Sequence, residues 1–558
     1  MHEKKEGLTI VPIGGLEQIG ANSMMIGCDN EWIILDLGIA FYDKYGIEIL
    51  VPDISFPLEV RNNIKGILVT HAHEDHIGAI QHLWNKLRIP IYVTEFPAAV
   101  LRQKFSECSW GNNVEIHVVR NNDSFRIGEF EIEYVPLAHS IVGSSGVYIK
   151  THYGNIFCSG DWKIDDTPMI GDSINIKRME KIGKTGVDCL LCDSTNIMNC
   201  ENDTSEGSEK DVKAAIKKIF KDNKDRRITI TLFASNLARM EAIMSVALET
   251  GRKVAVIGRS MHKMLDAISK TSYYSSDLKR AVNGVISEEE AADMPPHKVA
   301  FLCTGSQGEL RSALYKIAKK ENRVTKLGKN DVVVFSSKVI PGNELGIREL
   351  QNMLVKSGVE IITTELTTAK IHVSGHPNKS AVSNMYKWLQ PRSFMPIHGD
   401  PCMLRTHEKF AKACGIDETI VAESGDVISL IDGKLSKIGS KKVGLCCIES
   451  GNVIPLSSPI VKERAAMSTS GHVSVSFLLN SSSDTLNSSP DVVISGIYIT
   501  NEIQEYLQTL IYQAITNDIA SYSSNADLLI DAVKRSVKRL LLKCCDKKPL
   551  VSVHVHRC

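Results

Sequence analysis

The segment THAHEDHIGAI (residues 70–80) restricts the possible folds of this chain more than any other. It follows the apolar, strand-like run KGILVT and leads into a helical pattern. In an extended stretch residues i and i+2 face the same side, so His71 and His73 can grip one ion together. Asp75 and His76, reached as the chain turns into the helix, can serve a second ion beside the first. Imidazoles and a carboxylate packed this densely make poor core material and are costly to bury unless a metal satisfies them. The segment therefore predicts a metal centre at a strand end. A catalytic pair of ions needs further ligands, expected at other strand ends: His139 closes EIEYVPLAHS, Asp161 closes NIFCSGDW and His398 closes SFMPIHGD.

A length of 558 residues argues for about three domains, and 43% hydrophobic with 23% charged residues excludes wholesale disorder. No run reaches the roughly 18 to 20 apolar residues of a spanning helix, and the opening MHEKKEGLTI lacks the apolar stretch of a signal peptide. The expectation is a cytoplasmic protein with no membrane partner. The 65 basic and 65 acidic residues balance, so any nucleic-acid surface must be a local patch. The 14 scattered cysteines read as reduced thiols, and Cys189-x-x-Cys192, with no second pair, reads as part of a core strand.

The first two hundred residues alternate short β-branched runs with turns, from LTIVPI to VDCLLCDS, which predicts a strand-rich α/β core. Helical periodicity then appears at 210–220 and 235–249, followed by VAVIG, KVAFLCTG and DVVVFSS alternating with helical text, which predicts a second α/β unit. From about residue 360 strands return. A third region from about 446 holds strands and two helical segments, 502–515 and 525–543, with a Ser-rich loop at 480–491.

The spacing of His71, His73, Asp75, His76, His139, Asp161 and His398 resembles the metallo-β-lactamase fold, an αββα sandwich with a two-metal site. By that resemblance His71, His73 and His139 hold the first ion, Asp75, His76 and His398 the second, and Asp161 bridges. Asp36, which ends EWIILD, resembles the family's supporting aspartate; a plain strand-end carboxylate is the alternative. Asp161 and His398 are 237 residues apart, which leaves room for a whole domain between them. With HVSGHPNKSAV before PIHGD, the chain resembles the β-CASP branch of nucleases, Asp193, His376 and His398 matching its added motifs. Within that branch GGLEQIGANS, FASNLAR, CTGSQGELRSAL and SSKVIPGNE resemble the ribonuclease J family; PIHGDP and Pro377 depart from its usual text without removing a ligand. The implied domains are a metallo-β-lactamase domain in two parts (1–207 and 361–445), a β-CASP insert (208–360) and a small C-terminal α/β domain (446–558).

Other segments bear on substrate. Ser306 and Glu309 have capping-box spacing, so TGSQGE is expected to open a helix whose N–H groups hold phosphate, or simply to cap an ordinary helix. His372, Val373, Ser374, Gly375 and His376 offer a hydroxyl, a glycine for close backbone approach and two imidazoles, while Ser235 and Asn236 add neutral donors suited to a nucleotide. The basic run 210–227 reads as a solvated helix face before an RNA track.

The resemblance implies a ribonuclease with two zinc ions, manganese being the alternative, acting in rRNA processing and mRNA decay. It would cut single-stranded RNA internally and 5′-to-3′ from a 5′-monophosphate end, with metal-activated hydroxide attacking phosphorus. Asp75 and His376 are the expected catalytic residues, His376 as phosphate contact and general acid. A homodimer or homotetramer through the C-terminal domain is also implied. The rivals are a DNA-processing or tRNA-end nuclease of the same superfamily, a small-molecule hydrolase, and a non-catalytic RNA-decay scaffold, whose expected signature of lost ligands is absent from the sequence.

Overall fold

The apolar runs of the first two hundred residues become the strands of two facing sheets in the computed structural model, which describes residues 7–199, 207–480, 482–523 and 525–558. The first sheet has eight strands, ordered Lys434–Ser440, Asp426–Ile431, Leu8–Gly14, Ser23–Cys28, Glu31–Leu35, Ile64–Leu68, Ile91–Val93 and Ile116–Val118. The second has seven, ordered Glu418–Thr419, Ser393–Ile397, Cys189–Asp193, Gly154–Cys158, Ser145–Thr151, Phe130–Pro136 and Ser124–Ile127. Ile10, Ile26 and Ile33 from one sheet and Ile132, Tyr134, Ile149 and Leu191 from the other share one fully buried core. Helices Ile176–Thr185, Lys379–Leu389 and Pro401–Ala413 place Met179, Ile182, Val382, Met385 and Ala411 in a second core on the outer face of the seven-stranded sheet.

Cys189 and Cys192 both lie in the strand Cys189–Asp193, as their apolar setting suggests. Three residues apart on a strand, they face opposite ways, Cys189 into the core between the sheets and Cys192 into the outer core. They cannot share an ion.

Between the neighbouring parallel strands Cys189–Asp193 and Ser393–Ile397 the chain makes a long excursion into a sheet of its own. Its six strands are all parallel, in the order Val285–Ile286, Lys253–Ile257, Val299–Cys303, Arg227–Thr231, Asp331–Phe335 and Glu360–Ile362. Near-continuous apolar strands such as VAFLC and DVVVF suit a sheet covered on both faces. The helix Glu209–Asp222 opens with a capping box between Ser208 and Asp211 and turns Val212, Ile216 and Phe220 inward. Half of the basic residues of 210–227 are paired, Lys213 and Lys217 with Glu249, Arg226 with Glu360 and Arg227 with Asp331. The solvated-face reading of that run fits these pairings.

The TGSQGE segment forms a glycine turn in place of the expected helix start. No helix opens at Ser306, because Gly305 (φ +123°) and Gly308 (φ +74°) turn the backbone through conformations that a helix excludes. The helix starts seven residues later at Ala313, capped by the hydroxyl of Ser312, and Glu309 instead accepts from the backbone N–H of Gln307.

Residues 7–41 and 49–446 form one compact unit. A second unit comprises 42–48 and 447–558. The second holds a three-stranded sheet, ordered Asp491–Ser495, His472–Leu479 and Leu550–Arg557. Helices Asn501–Tyr522 and Ala526–Cys545, both longer than their periodicity suggested, pack on it through Leu507, Ile511, Leu529 and Val537.

Candidate metal centre

Five strands of the two sheets end at one rim of the sandwich, and the side chains just beyond them meet there. Glu31–Leu35 delivers Asp36, Ile64–Leu68 delivers the 70–76 segment, Gly154–Cys158 delivers Asp161, Cys189–Asp193 ends on Asp193, and Ser393–Ile397 delivers His398. Asp36 (φ +57°) and His398 (φ +53°) occupy the left-handed region, which turns the chain sharply and brings their side chains back over the strand ends.

His71 Nε2 and His73 Nδ1 are 3.1 Å apart, and His139 Nε2 is 3.0 Å from His73 Nδ1. Asp161 Oδ2 lies 3.8 Å from His71 Nε2, 3.8 Å from His139 Nε2 and 3.3 Å from His76 Nε2, while its Oδ1 is 2.8 Å from His398 Nδ1. Three groups of donors therefore share Asp161: His71, His73 and His139 on one side, His76 and His398 on the other, and Asp193 with His376 at the margin. Asp75 sits at the edge of the second group, its Oδ2 3.6 Å from His76 Nε2 and accepting from Asn22 Nδ2 at 3.1 Å.

The donor set fits divalent cations. Burial holds His71 and His139 well below the usual imidazole range and lowers His73 to about 4, so all three rings are neutral. Their converging lone pairs repel one another unless a cation lies between them, and tetrahedral coordination at ordinary zinc–nitrogen lengths sets nitrogens roughly 3.3 Å apart. At His76 burial opposes the charge, but Asp161, Asp75 and Asp36 outweigh it and raise the ring well above its ordinary value. This corner attracts positive charge, which a bound cation would supply in place of the proton.

Asp36 does more than end a strand. Its Oδ2 accepts from His76 Nδ1 at 2.8 Å and from Thr70 Oγ1 at 2.7 Å, and its Oδ1 accepts from the Thr70 N–H at 2.8 Å. Thr70 Oγ1 in turn accepts from His71 Nδ1 at 3.0 Å. One carboxylate thereby fixes two rings with their Nε2 lone pairs directed inward, the outer-layer orientation that metal-binding histidines need. Asp36→Ala is expected to weaken metal affinity by about 10-fold to 100-fold. Competition against a calibrated chelator measures this, and unchanged affinity would leave Asp36 as a strand-end residue only.

The segment 372–376 and the insert supply a roof. The Gly375 carbonyl accepts from His139 Nδ1 at 2.5 Å, and a Cβ at this glycine would stand 2.8 Å from Ser140 Oγ and 3.0 Å from His139 Cε1. Ser235 Oγ is 3.1 Å from His73 Nε2. Ser374 Oγ accepts from the His376 N–H at 3.1 Å. Asp193 Oδ2 accepts from His376 Nδ1 at 2.7 Å, while its Oδ1 is occupied by the N–H and hydroxyl of Thr195. Burial disfavours the charged His376 ring, but Asp193 and Asp161 prevail and raise it to about 9.

Other expected substrate contacts are engaged internally. Asn236 caps the helix Leu237–Glu249, its Oδ1 accepting from the Arg239 N–H and its Nδ2 donating to Glu209 Oε1, so both ends of its amide are already engaged within the fold. Arg239, fully buried, donates twice to Glu209, to the Ser336 carbonyl at 2.8 Å, to His372 Nδ1 at 2.7 Å and to the Val373 carbonyl at 3.5 Å. Burial and Arg239 together hold His372 well below the usual range, and Val373 is buried. Ser306 is buried in its glycine turn. Sequence reasoning missed Thr70, Asn22 and Arg239. Thr70 opens the histidine motif at a strand end, and Asn22 and Arg239 lie within GGLEQIGANS and FASNLAR, whose family resemblance is the signal that could have found them.

Family models match consecutive stretches of the chain: the beta-lactamase superfamily domain at 31–218, the ribonuclease J beta-CASP domain at 225–354, the Zn-dependent metallo-hydrolase RNA specificity domain at 362–421 and the ribonuclease J C-terminal domain at 459–558. Ribonuclease J of Sinorhizobium meliloti is 34% identical over 560 residues, covering 99% of this chain and 97% of its own. The chain belongs to the ribonuclease J family. Two more relatives match over nearly full length: ribonuclease J 1 of Streptococcus pyogenes serotype M3 (30% identity; 98% and 97% of the two chains) and ribonuclease J2 of Bacillus subtilis (29%; 98% of each). A protein of unknown function from Enterococcus faecalis shares the fold, with a TM-score of 0.54 at 16% identity over 76% of this chain and all of its own. This ribonuclease J family member thus has a metallo-β-lactamase fold with a β-CASP insertion and a C-terminal domain. Its His/Asp cluster is of the divalent metal-binding kind, and among its described residues no helix is long and apolar enough to cross a membrane.

Proposed function

We propose that this chain is a cytoplasmic ribonuclease with two zinc ions that cuts single-stranded RNA internally and 5′-to-3′ from a 5′-monophosphate end, in rRNA processing and mRNA decay. The observation that carries this reading is the meeting of His71, His73, His139, Asp161, His76 and His398 in one buried cluster covered by Ser235 and Gly375. Family membership supports RNA as the substrate. Mixed imidazole and carboxylate donors suit zinc, with manganese as the alternative.

His71, His73 and His139 hold the first ion in this reading, and Asp75, His76 and His398 the second, with Asp161 between. Bound there, the pair supplies Lewis acidity toward the phosphate and acidifies water. The protein does the rest. Burial keeps bulk water away from the ligand nitrogens, and Asp36 fixes the rings of His71 and His76. Asp193 holds Nδ1 of His376, so the proton His376 can give to the departing 3′ oxygen is the one on Nε2. Ser235 and Ser374 lie beside these groups as hydroxyl contacts for phosphate.

The test is to incubate the metal-loaded protein with 5′-monophosphorylated RNA, 5′-triphosphorylated RNA and DNA of one sequence and to map the products. Stepwise 5′ release is expected from the monophosphorylated RNA alone, with internal cuts in both RNAs and 5′-phosphates on the fragments. Equal stepwise release from both RNA ends removes monophosphate selection, and DNA cut as fast as RNA overturns the substrate assignment.

A further inference from the structure

At the rim away from the catalytic cluster, three hairpin turns bring a second set of metal-ligating side chains together. Cys28 ends the strand Ser23–Cys28 of the eight-stranded sheet, and Asp29 begins the turn that follows. His152 lies in the turn between Ser145–Thr151 and Gly154–Cys158, and Glu129 in the turn between Ser124–Ile127 and Phe130–Pro136, both in the seven-stranded sheet. Cys28 Sγ is 3.9 Å from His152 Nδ1, Asp29 Oδ2 is 3.5 Å from His152 Nε2, and Glu129 Oε2 is 3.9 Å from His152 Nδ1. One donor atom each from Cys28, Asp29 and His152 falls within a sphere of mutual distances no greater than 4.8 Å.

We infer that Cys28, Asp29 and His152, with Glu129 at the edge, form a second divalent-cation site of zinc type that clips the two sheets together. A thiolate, an imidazole and carboxylates form the mixed soft and hard donor set that zinc takes, whereas calcium and magnesium want oxygen alone. Tetrahedral zinc with ordinary bond lengths separates sulfur from nitrogen by roughly 3.6 Å, close to the observed gap. Asp29 is already steadied from the opposite sheet by the Tyr153 hydroxyl, which donates to its Oδ1 at 2.9 Å, the kind of support that metal-binding carboxylates receive. Cys28 is buried while His152 is half exposed, so an ion has a path in from solvent and a dry ligand to settle against. Binding releases the thiol proton to solvent and forms the sulfur–metal bond.

The site is separate from the catalytic one. Asn22, which touches Asp75, precedes the strand that Cys28 ends, and six strand residues span about 20 Å. The catalytic cluster contains no sulfur, so Co2+ titrated into the full chain distinguishes the two sites by the sulfur-to-cobalt charge-transfer band. The parent should show that band, with excess Zn2+ bleaching it. Cys28→Ser should abolish it, and His152→Ala, at a half-exposed turn that tolerates change, should weaken Co2+ binding at this site at least about 10-fold. Zn2+ should raise the Tm of the parent more than that of His152→Ala. A parent without the band once the histidine centre is filled, or a band indifferent to His152→Ala, overturns the proposal.

Discussion

His76→Ala is expected to abolish RNA cleavage, to bind one metal ion fewer than the parent and still to hold RNA. The ring is fully buried, with Nδ1 on Asp36 and Nε2 beside Asn22 Nδ2 at 2.9 Å and facing Asp161 and Asp75, so cutting it back removes a nitrogen donor from that corner. Residues that act as one unit fail together, and a loss of roughly 10,000-fold or more follows. Binding survives because Ser235 and Ser374, the proposed phosphate contacts, do not touch this ring. Metal analysis beside an RNA-binding isotherm checks both halves. An unchanged two-ion stoichiometry would overturn the ligand assignment, and lost RNA binding would move the substrate contacts onto the metals themselves. Circular dichroism guards against a folding defect, since Asp36 loses a partner in this variant.

The second large effect is on the chemical step alone. His376 is held by Asp193 at 2.7 Å and stands 3.9 Å from Asp161, at the margin of the ligand cluster. His376→Ala should keep both ions and near-parent RNA affinity yet slow the chemical step by about 100-fold to 10,000-fold, the cost of a lost general acid. Single-turnover rates at saturating enzyme isolate that step from binding. Asp193→Asn, which leaves the imidazole but weakens its anchor, should give a smaller loss. A His376 variant turning over at the parent rate would reduce the residue to packing.

Much of the architecture is written in local text. Strands such as EWIILD and NIFCSG carry their period and their terminating polar residue within a few positions, so a strand-rich α/β core and the strand ends that carry the site are legible in the sequence, whereas the two-sheet sandwich comes from the family resemblance. The dense histidine motif was legible for the same reason. The layer behind the ligands was not. The relay from Asp36 through Thr70 to His71 joins positions 34 residues apart, and the Gly375 carbonyl on His139 reaches across 236. Ser306 shows the opposite failure: correct capping-box spacing is overruled by two glycines with positive φ, and the helix waits for Ser312. Asn236 was recognised as a donor, but a cap position had already engaged it. Local spacing names the residue types a site can use; only the long-range pairing decides which of them remain available.

The short stretch from His372 to Gly375 is fastened twice. Arg239 grips its beginning from the inserted domain, and Gly375 holds the ring of His139 at its end. A strap only a few residues long transmits movement and cannot absorb it. Any displacement of the inserted sheet from the sandwich would therefore pull on His139, which in the proposed assignment completes the first ligand triad. The setting of the insert and the setting of the His139 ring are thereby joined by one strap, and loosening Arg239 at one end should be felt at the metal centre at the other.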